Sequence, residues 1–316
     1  MTKRKKIILS VIAACCAVLI GLGGFFGVRE HLKNRITFTV DDTLPDGGGK
    51  KATVILLGGQ SNAAGATRDE YLQKKVSAEQ YAAYENGYEN VYINYYISET
   101  NQSQGFVKCA TKQGEAGGFF GPELGMAEKL HALYPDEQFF IIKCAWSGTN
   151  LQTQWTPPSS DGKTGPLYKE FVAYVEASLE YLVSKNYDVS IAGMCWMQGE
   201  ADAASLESAA EYEENLSNLI KDLRQRFSRY AAEDGIAFID AYIADNPAYW
   251  VHYELVNEAK KRVAAGSSMN ALVDTISHGL SCSEEPEGAP DMAHYDSLSE
   301  IKLGHLFAEE LSRFLE

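Results

Sequence analysis

The sequence predicts an α/β fold in which a mostly parallel sheet carries helices on both faces, and three observations support it. Short apolar runs of strand length alternate with longer amphipathic stretches from about residue 50 to the C-terminus. Those stretches are long enough for the crossover helices that parallel neighbours require. With 45 % apolar and 22 % charged side chains among 316 residues, the chain can bury a large core, which excludes a disordered or fibrous class.

Taken in order, residues 1–35 stand apart from that pattern. Lys3, Arg4, Lys5 and Lys6 precede an uncharged stretch over 7–28, long enough to cross a hydrocarbon layer of roughly 30 Å as a helix. An export segment is expected, with an uncleaved transmembrane anchor favoured over a cleaved signal peptide. Ile12-Ala13-Ala14-Cys15 also has the form of a bacterial lipoprotein site. The basic cluster should stay cytoplasmic and place the body outside, although Arg29, Lys33 and Arg35 oppose that orientation. The expectation is an extracytoplasmic bacterial protein, anchored or secreted, that touches membrane only through this segment.

Residues 36–51 contain Pro45 and Gly47-Gly48-Gly49 and read as a linker, so the folded domain is expected over 52–316. Strands are expected over 53–57, 91–97, 138–144, 189–197, 236–243 and 271–275. Helices are expected over 121–134, 167–185, 205–230, 250–265 and 297–314. Ser297 and Glu300 have the spacing of a capping box, which would hold the preceding loop at a helix entrance. The stretch 248–287 reads as an insertion that shapes specificity.

Residues 36–316 carry 21 basic and 42 acidic side chains, a formal charge of −21 with His neutral. Such a body is repelled by phosphate backbones and anionic lipid, so nucleic acid is excluded as a partner. Cys109, Cys144, Cys195 and Cys282 lie in a body too large to need disulfides and read as small buried thiols. No Cys/His spacing suggests a metal site.

Four short blocks hold the candidate chemistry. Gln60-Ser61-Asn62 follows the apolar run ending at Leu57, at the C-terminal end of an expected strand where parallel sheets bind ligands; Ser61 stands there as a nucleophile would. Trp146-Ser147-Gly148-Thr149 follows the next such strand, and Gly148 can turn an unobstructed backbone N–H toward a developing oxyanion. Trp196-Met197-Gln198-Gly199-Glu200-Ala201-Asp202 ends a third. Its Gln198 offers side-chain donors, Glu200 can support Gln198 or a ligand hydroxyl, and Asp202 either joins them or caps the following helix. Asp291-Met292-Ala293-His294 places a carboxylate three residues ahead of an imidazole, a spacing that can fix its tautomer and leave the other nitrogen as a base.

Together and in this order, the blocks resemble the SGNH-hydrolase superfamily and, within it, the sialate O-acetylesterase and acetylxylan esterase group, carbohydrate esterase family 6. Gly121-Pro122-Glu123-Leu124 is a supporting match, and the resemblance spans roughly 52–316. It implies one three-layer α/β/α, flavodoxin-like domain and a serine esterase without metal or organic cofactor. Ser61 would be the nucleophile, His294 the base and Asp291 its acid. The amides of Ser61 and Gly148 with the Gln198 side chain would form the oxyanion hole. Gln60, Asn62, Trp146 and Glu200 would contact substrate or support the site, and Glu200 is an alternative acid. The expected substrate is an acetylated carbohydrate, of acetylxylan or sialate type, with Trp146 and Trp155 as sugar platforms. Two other functions fit the same scaffold: an inactive glycan-binding protein, and an esterase or thioesterase for lipid-like acyl chains.

Overall fold

The computed structural model describes residues 36–160 and 162–315, and the expected export segment over 1–35 lies outside them. No helix among the described residues is long and apolar enough to cross a membrane. The chain runs β1 (Lys51–Gly59), a short α1 (Ser61–Ala64), β2 (Thr67–Arg68), α2 (Asp69–Lys75) and α3 (Ala78–Asn86). It continues through β3 (Val91–Ser98), β4 (Asn101–Gln102), β5 (Val107–Lys108), β6 (Phe119–Phe120), α4 (Pro122–Leu133) and β7 (Phe139–Ala145). Then follow α5 (Pro166–Ser184), β8 (Asp188–Met197), α6 (Leu206–Arg226), β9 (Ala237–Ala241), α7 (Tyr253–Ala265), β10 (Asn270–Val273) and α8 (Ser297–Ser312).

Six strands form the parallel sheet, in the order β10-β9-β8-β1-β7-β3, and β4 and β5 add antiparallel to the β3 edge. The parallel strands are buried on both faces and read as nearly continuous apolar runs, as parallel sheets with two helical layers require. One face takes α5, α6 and α7: Phe171 of α5 reaches Gly58, and Ile220 of α6 lies with Leu56 and Met194. The other face takes α4 and α8, with Leu311 of α8 against Gly193. The expected mixed α/β architecture is present.

Three expectations need correction. Residues 38–50 are not a free linker: Phe38 packs edge-on to Tyr96 and Tyr174, Leu44 is buried, and the Tyr181 hydroxyl accepts the N–H groups of Thr43 and Leu44. The glycine and proline residues there mark turns of a strap docked by its apolar side chains. The stretch 248–287 is not an insertion over its first part, because α7 and β10 continue the crossover pattern and extend the sheet; only the loop over 274–296 lies outside it. The capping box is absent too. Asp296 stands at the N-cap, and Glu285 from the preceding loop takes the Ser297 N–H at 2.6 Å and its hydroxyl at 2.8 Å, while Glu300 is buried with both oxygens unpartnered. Asp296 in turn accepts the N–H groups of Glu284 and Glu285, so the loop is clamped reciprocally.

Candidate active site

The sheet order reverses at β1, whose neighbours β7 and β8 lead away in opposite directions. In open α/β sheets, the crevice at the carboxyl end of such a strand is where ligands bind. The register makes this concrete, because Gly59, the last residue of β1, pairs with Ala145 of β7 and with Met197 of β8. The first three blocks therefore leave the sheet at one level. Gln60 N–H donates to Met197 O at 2.9 Å and Trp146 N–H to Gly59 O at 3.1 Å. Gly59 has φ +138°, and a Cβ there would lie 2.0 Å from Met197 O, so this tight exit from β1 demands glycine.

Ser61 opens α1 at the rim and is 6 % exposed. Its backbone N–H and that of Gly148 donate to no acceptor among the described residues. Gly148 sits in the left-handed region at φ +67°, exposed, with no atom within 4 Å of its Cβ position. Two unpaired amides from neighbouring strand ends are what an oxyanion needs.

His294 Nδ1–H donates to Asp291 Oδ2 at 2.7 Å, and Asp291 Oδ1 accepts the Ala293 N–H. Partial burial pushes the Asp291 carboxyl up, but these hydrogen bonds outweigh it and hold the group below its ordinary value. With Nδ1 engaged as donor, the neutral imidazole keeps Nε2 as an acceptor. Asn62 ties this loop to the segment that carries Ser61. Asn62 Oδ1 accepts the Tyr295 N–H at 3.1 Å, Asn62 Nδ2 donates to Glu200 Oε1 at 2.9 Å, and Thr67 Oγ1 donates to Tyr295 O at 2.7 Å. Ser61 and His294 share no direct hydrogen bond in this arrangement.

The third block serves as scaffolding. Gln198 is fully buried, and its Nε2 donates to Asp202 Oδ2 at 2.6 Å and to Thr149 O at 3.0 Å, while Oε1 accepts from the Tyr212 hydroxyl at 3.0 Å. Both N–H groups are spent, so Gln198 does not stand ready as the third oxyanion donor that the resemblance implies. It welds the third block to the second instead. Asp202 does not cap α6, whose N-cap is Ser205. Its carboxylate accepts the Leu151 N–H at 2.9 Å and the Gln152 N–H at 3.3 Å, fastening the turn that carries Gly148. Burial raises the Asp202 pKa to about 6 against these bonds. Gln60 Oε1 accepts the N–H groups of Ala201 and Gly199, so Gln60 too braces the rim.

Glu200 is 1 % exposed, with Oε2 lacking a partner, and burial raises its pKa. It bonds Asn62 and not His294. Trp155 is 1 % exposed, edge-on to Trp196, with Nε1–H donating to Thr149 Oγ1, so it belongs to the core. Trp146 is only partly buried, edge-on to Tyr96. The four body cysteines are free and buried.

Sequence reasoning missed several supports. Glu123 of the Gly-Pro-Glu match is fully buried, with Oε2 2.7 Å from the buried Lys143 Nζ and Oε1 accepting the Gly121 N–H, which joins α4 to β7. Lys260 of α7 is likewise buried, 2.6 Å from Asp240 Oδ1, beneath the third block. Apolar periodicity hides such charges; only the polar interruption of an apolar run, Lys143 within β7 and Asp240 within β9, signals them.

The profile of the family described as carbohydrate esterase, sialic acid-specific acetylesterase, matches residues 51–313. A curated relative, the probable 9-O-acetyl-N-acetylneuraminic acid deacetylase of Escherichia coli K12, is 25 % identical over 146 residues; that alignment spans 42 % of this chain and 43 % of the relative. Among solved structures, NanS superposes with a TM-score of 0.62 at 17 % identity, over 85 % of this chain and 98 % of that one. A protein from Arabidopsis thaliana gives 0.58 at 20 % identity over 86 % and 100 %. A carbohydrate acetylesterase from Xanthomonas citri gives 0.53 at 16 % identity over 83 % and 56 %. Those likenesses show a shared fold, and the profile match over most of the chain shows the family: this protein belongs to the sialic acid-specific acetylesterase family of carbohydrate esterases.

Proposed function

We propose that the protein is an extracytoplasmic carbohydrate O-acetylesterase that releases acetate through an acyl-enzyme on Ser61. One observation carries the mechanism: the His294–Asp291 pair sits on a loop whose next residue, Tyr295, is bonded to Asn62 beside Ser61. His294 Nε2 takes the Ser61 hydroxyl proton as Oγ attacks the acetyl carbonyl, and Asp291 stabilises the resulting imidazolium. The oxyanion is received by the N–H groups of Ser61 and Gly148. The sugar oxygen leaves with the proton from His294, and water, deprotonated by the same imidazole, releases acetate and restores Ser61. The family and the named activity of the Escherichia coli relative support an acetylated sugar as substrate. The basic cluster followed by an apolar run at the N-terminus supports a location outside the cytoplasm.

The test is acetate release from a panel of O-acetylated glycans by wild type and Ser61→Ala. Release by wild type and its loss in a folded Ser61→Ala protein are expected. Near-normal turnover by that variant would move the nucleophile elsewhere, with the exposed Ser147 as the next residue to replace.

A further inference from the structure

The His294–Asp291 pair lies on an outlying part of the chain. Residues 286–294 are exposed or half-buried, and the Asp291 and His294 side chains keep 50 % and 29 % of their surface in solvent. Packing therefore fixes neither of them, and their alignment depends on how the buried ends of the segment, Glu285 and Tyr295 to Ser297, are held. At one end Tyr295 is bonded to Asn62 and Thr67. At the other, Glu285 O accepts the Asp291 N–H at 2.8 Å and closes residues 286–290 into a small loop. That is the only hydrogen bond the Asp291 backbone makes among the described residues.

Glu285 is itself firmly seated. It is 8 % exposed, its Oε1 accepts the Ser297 hydroxyl at 2.8 Å and its Oε2 the Ser297 N–H at 2.6 Å. Both donors belong to the first residue of α8, where free N–H groups and the helix dipole favour a carboxylate. One residue thus grips the start of α8 with its side chain and Asp291 with its backbone. Resting on the esterase reading, we propose that Glu285 is the positioning residue for the catalytic acid: its carboxylate, docked on Ser297, fixes the carbonyl that holds Asp291 and so aligns Asp291 with His294. It bonds neither His294 nor Ser61, so its effect passes through Asp291.

The experiment measures thermal unfolding, steady-state kinetics on p-nitrophenyl acetate and the low-field proton resonance of His294 Nδ1–H in wild type, Glu285→Ala, Glu285→Gln and Ser297→Ala. A His294→Gln protein assigns the resonance. Glu285→Ala should lower kcat by roughly 10- to 100-fold with little change in KM, because the acid is displaced from the base. It should also move the resonance upfield, as the proton shared with Asp291 loses its strong acceptor. Glu285→Gln can accept the Ser297 N–H and donate to the hydroxyl, so it should recover most of the kcat lost in Glu285→Ala. Ser297→Ala removes one of the two bonds and should lower kcat by roughly 3- to 10-fold, the span of one hydrogen bond. Wild-type kcat and an unmoved resonance in folded Glu285→Ala overturn the assignment and leave the esterase standing. Where Glu285→Ala does not fold, the same result in Ser297→Ala overturns it. Absence of wild-type turnover on every acetyl ester removes the esterase reading, and the resonance still decides whether Glu285 aligns the pair.

Discussion

Tyr295 donates its backbone N–H to Asn62 Oδ1 across 3.1 Å, joining the residue after His294 to the residue after Ser61. The two positions are 233 residues apart in sequence, and both partners are buried. Because Asn62 Nδ2 also holds Glu200 Oε1, one amide sets the spacing of the first, third and fourth blocks.

That relationship makes Asn62→Ala a sensitive probe. The substitution leaves a buried N–H and a buried carboxylate oxygen without partners, for a destabilisation on the order of 2 kcal/mol. A displaced His294 loop should lower kcat by about 10²-fold with a smaller change in KM. Thermal unfolding and steady-state kinetics on the same preparation check both, and wild-type kcat in Asn62→Ala would show that the tether is dispensable.

Asp291→Asn should be far more damaging than Glu200→Gln. An amide at 291 can turn a donor toward the imidazole N–H and favour the wrong tautomer, costing on the order of 10⁴ in kcat in a comparable triad. Glu200→Gln retains an acceptor for Asn62 and removes a buried charge whose second oxygen has no partner, so its effect on kcat is expected to be small. If Glu200→Gln is the worse of the two at equal stability, the acid is Glu200.

The two glycines at the rim should respond differently to alanine. Gly59→Ala puts a methyl 2.0 Å from Met197 O, and the chain cannot yield without parting β1 from β8, so little folded protein is expected. Gly148→Ala has open space and meets only the strain of φ +67°, about 1 kcal/mol, while keeping the N–H. Circular dichroism and turnover separate them: a folded Gly148→Ala enzyme within about tenfold of wild type is expected, and an equally stable Gly59→Ala would contradict the steric account.

Asp202 gives a pH prediction with a definite sign. Its folded pKa is raised to about 6 from 3.8, so the folded state holds this proton more tightly than the unfolded chain. The stability it contributes is therefore complete below pH 3.8 and is lost as pH rises through about 6. The stability of wild type relative to Asp202→Asn should fall between those values, by roughly 2–3 kcal/mol, and level off above. Denaturant titrations of both proteins at stepped pH measure the gap; one that widened with pH would reverse the sign of the shift.

The sequence alone determined the layer architecture, since apolar runs such as 139–145 and the amphipathic stretches between them bury themselves in only one way, as a parallel sheet between helices. It also located the blocks at strand ends and paired His294 with Asp291, because a spacing of three residues in a turn is local. The tertiary structure decided how side chains share partners across long separations. Gln198 offers two side-chain N–H groups in the sequence, and in the fold Asp202 and Thr149 occupy both. Ser297 and Glu300 had the spacing of a capping box, yet Glu285 reached the helix end first and left Glu300 buried. The strap over 38–50 has linker composition, but Phe38 and Leu44 gain more by covering apolar surface than a free chain keeps in entropy. A polar side chain's role depends on which acceptor lies nearest once the chain has folded, and that is a property of packing that residue order does not contain.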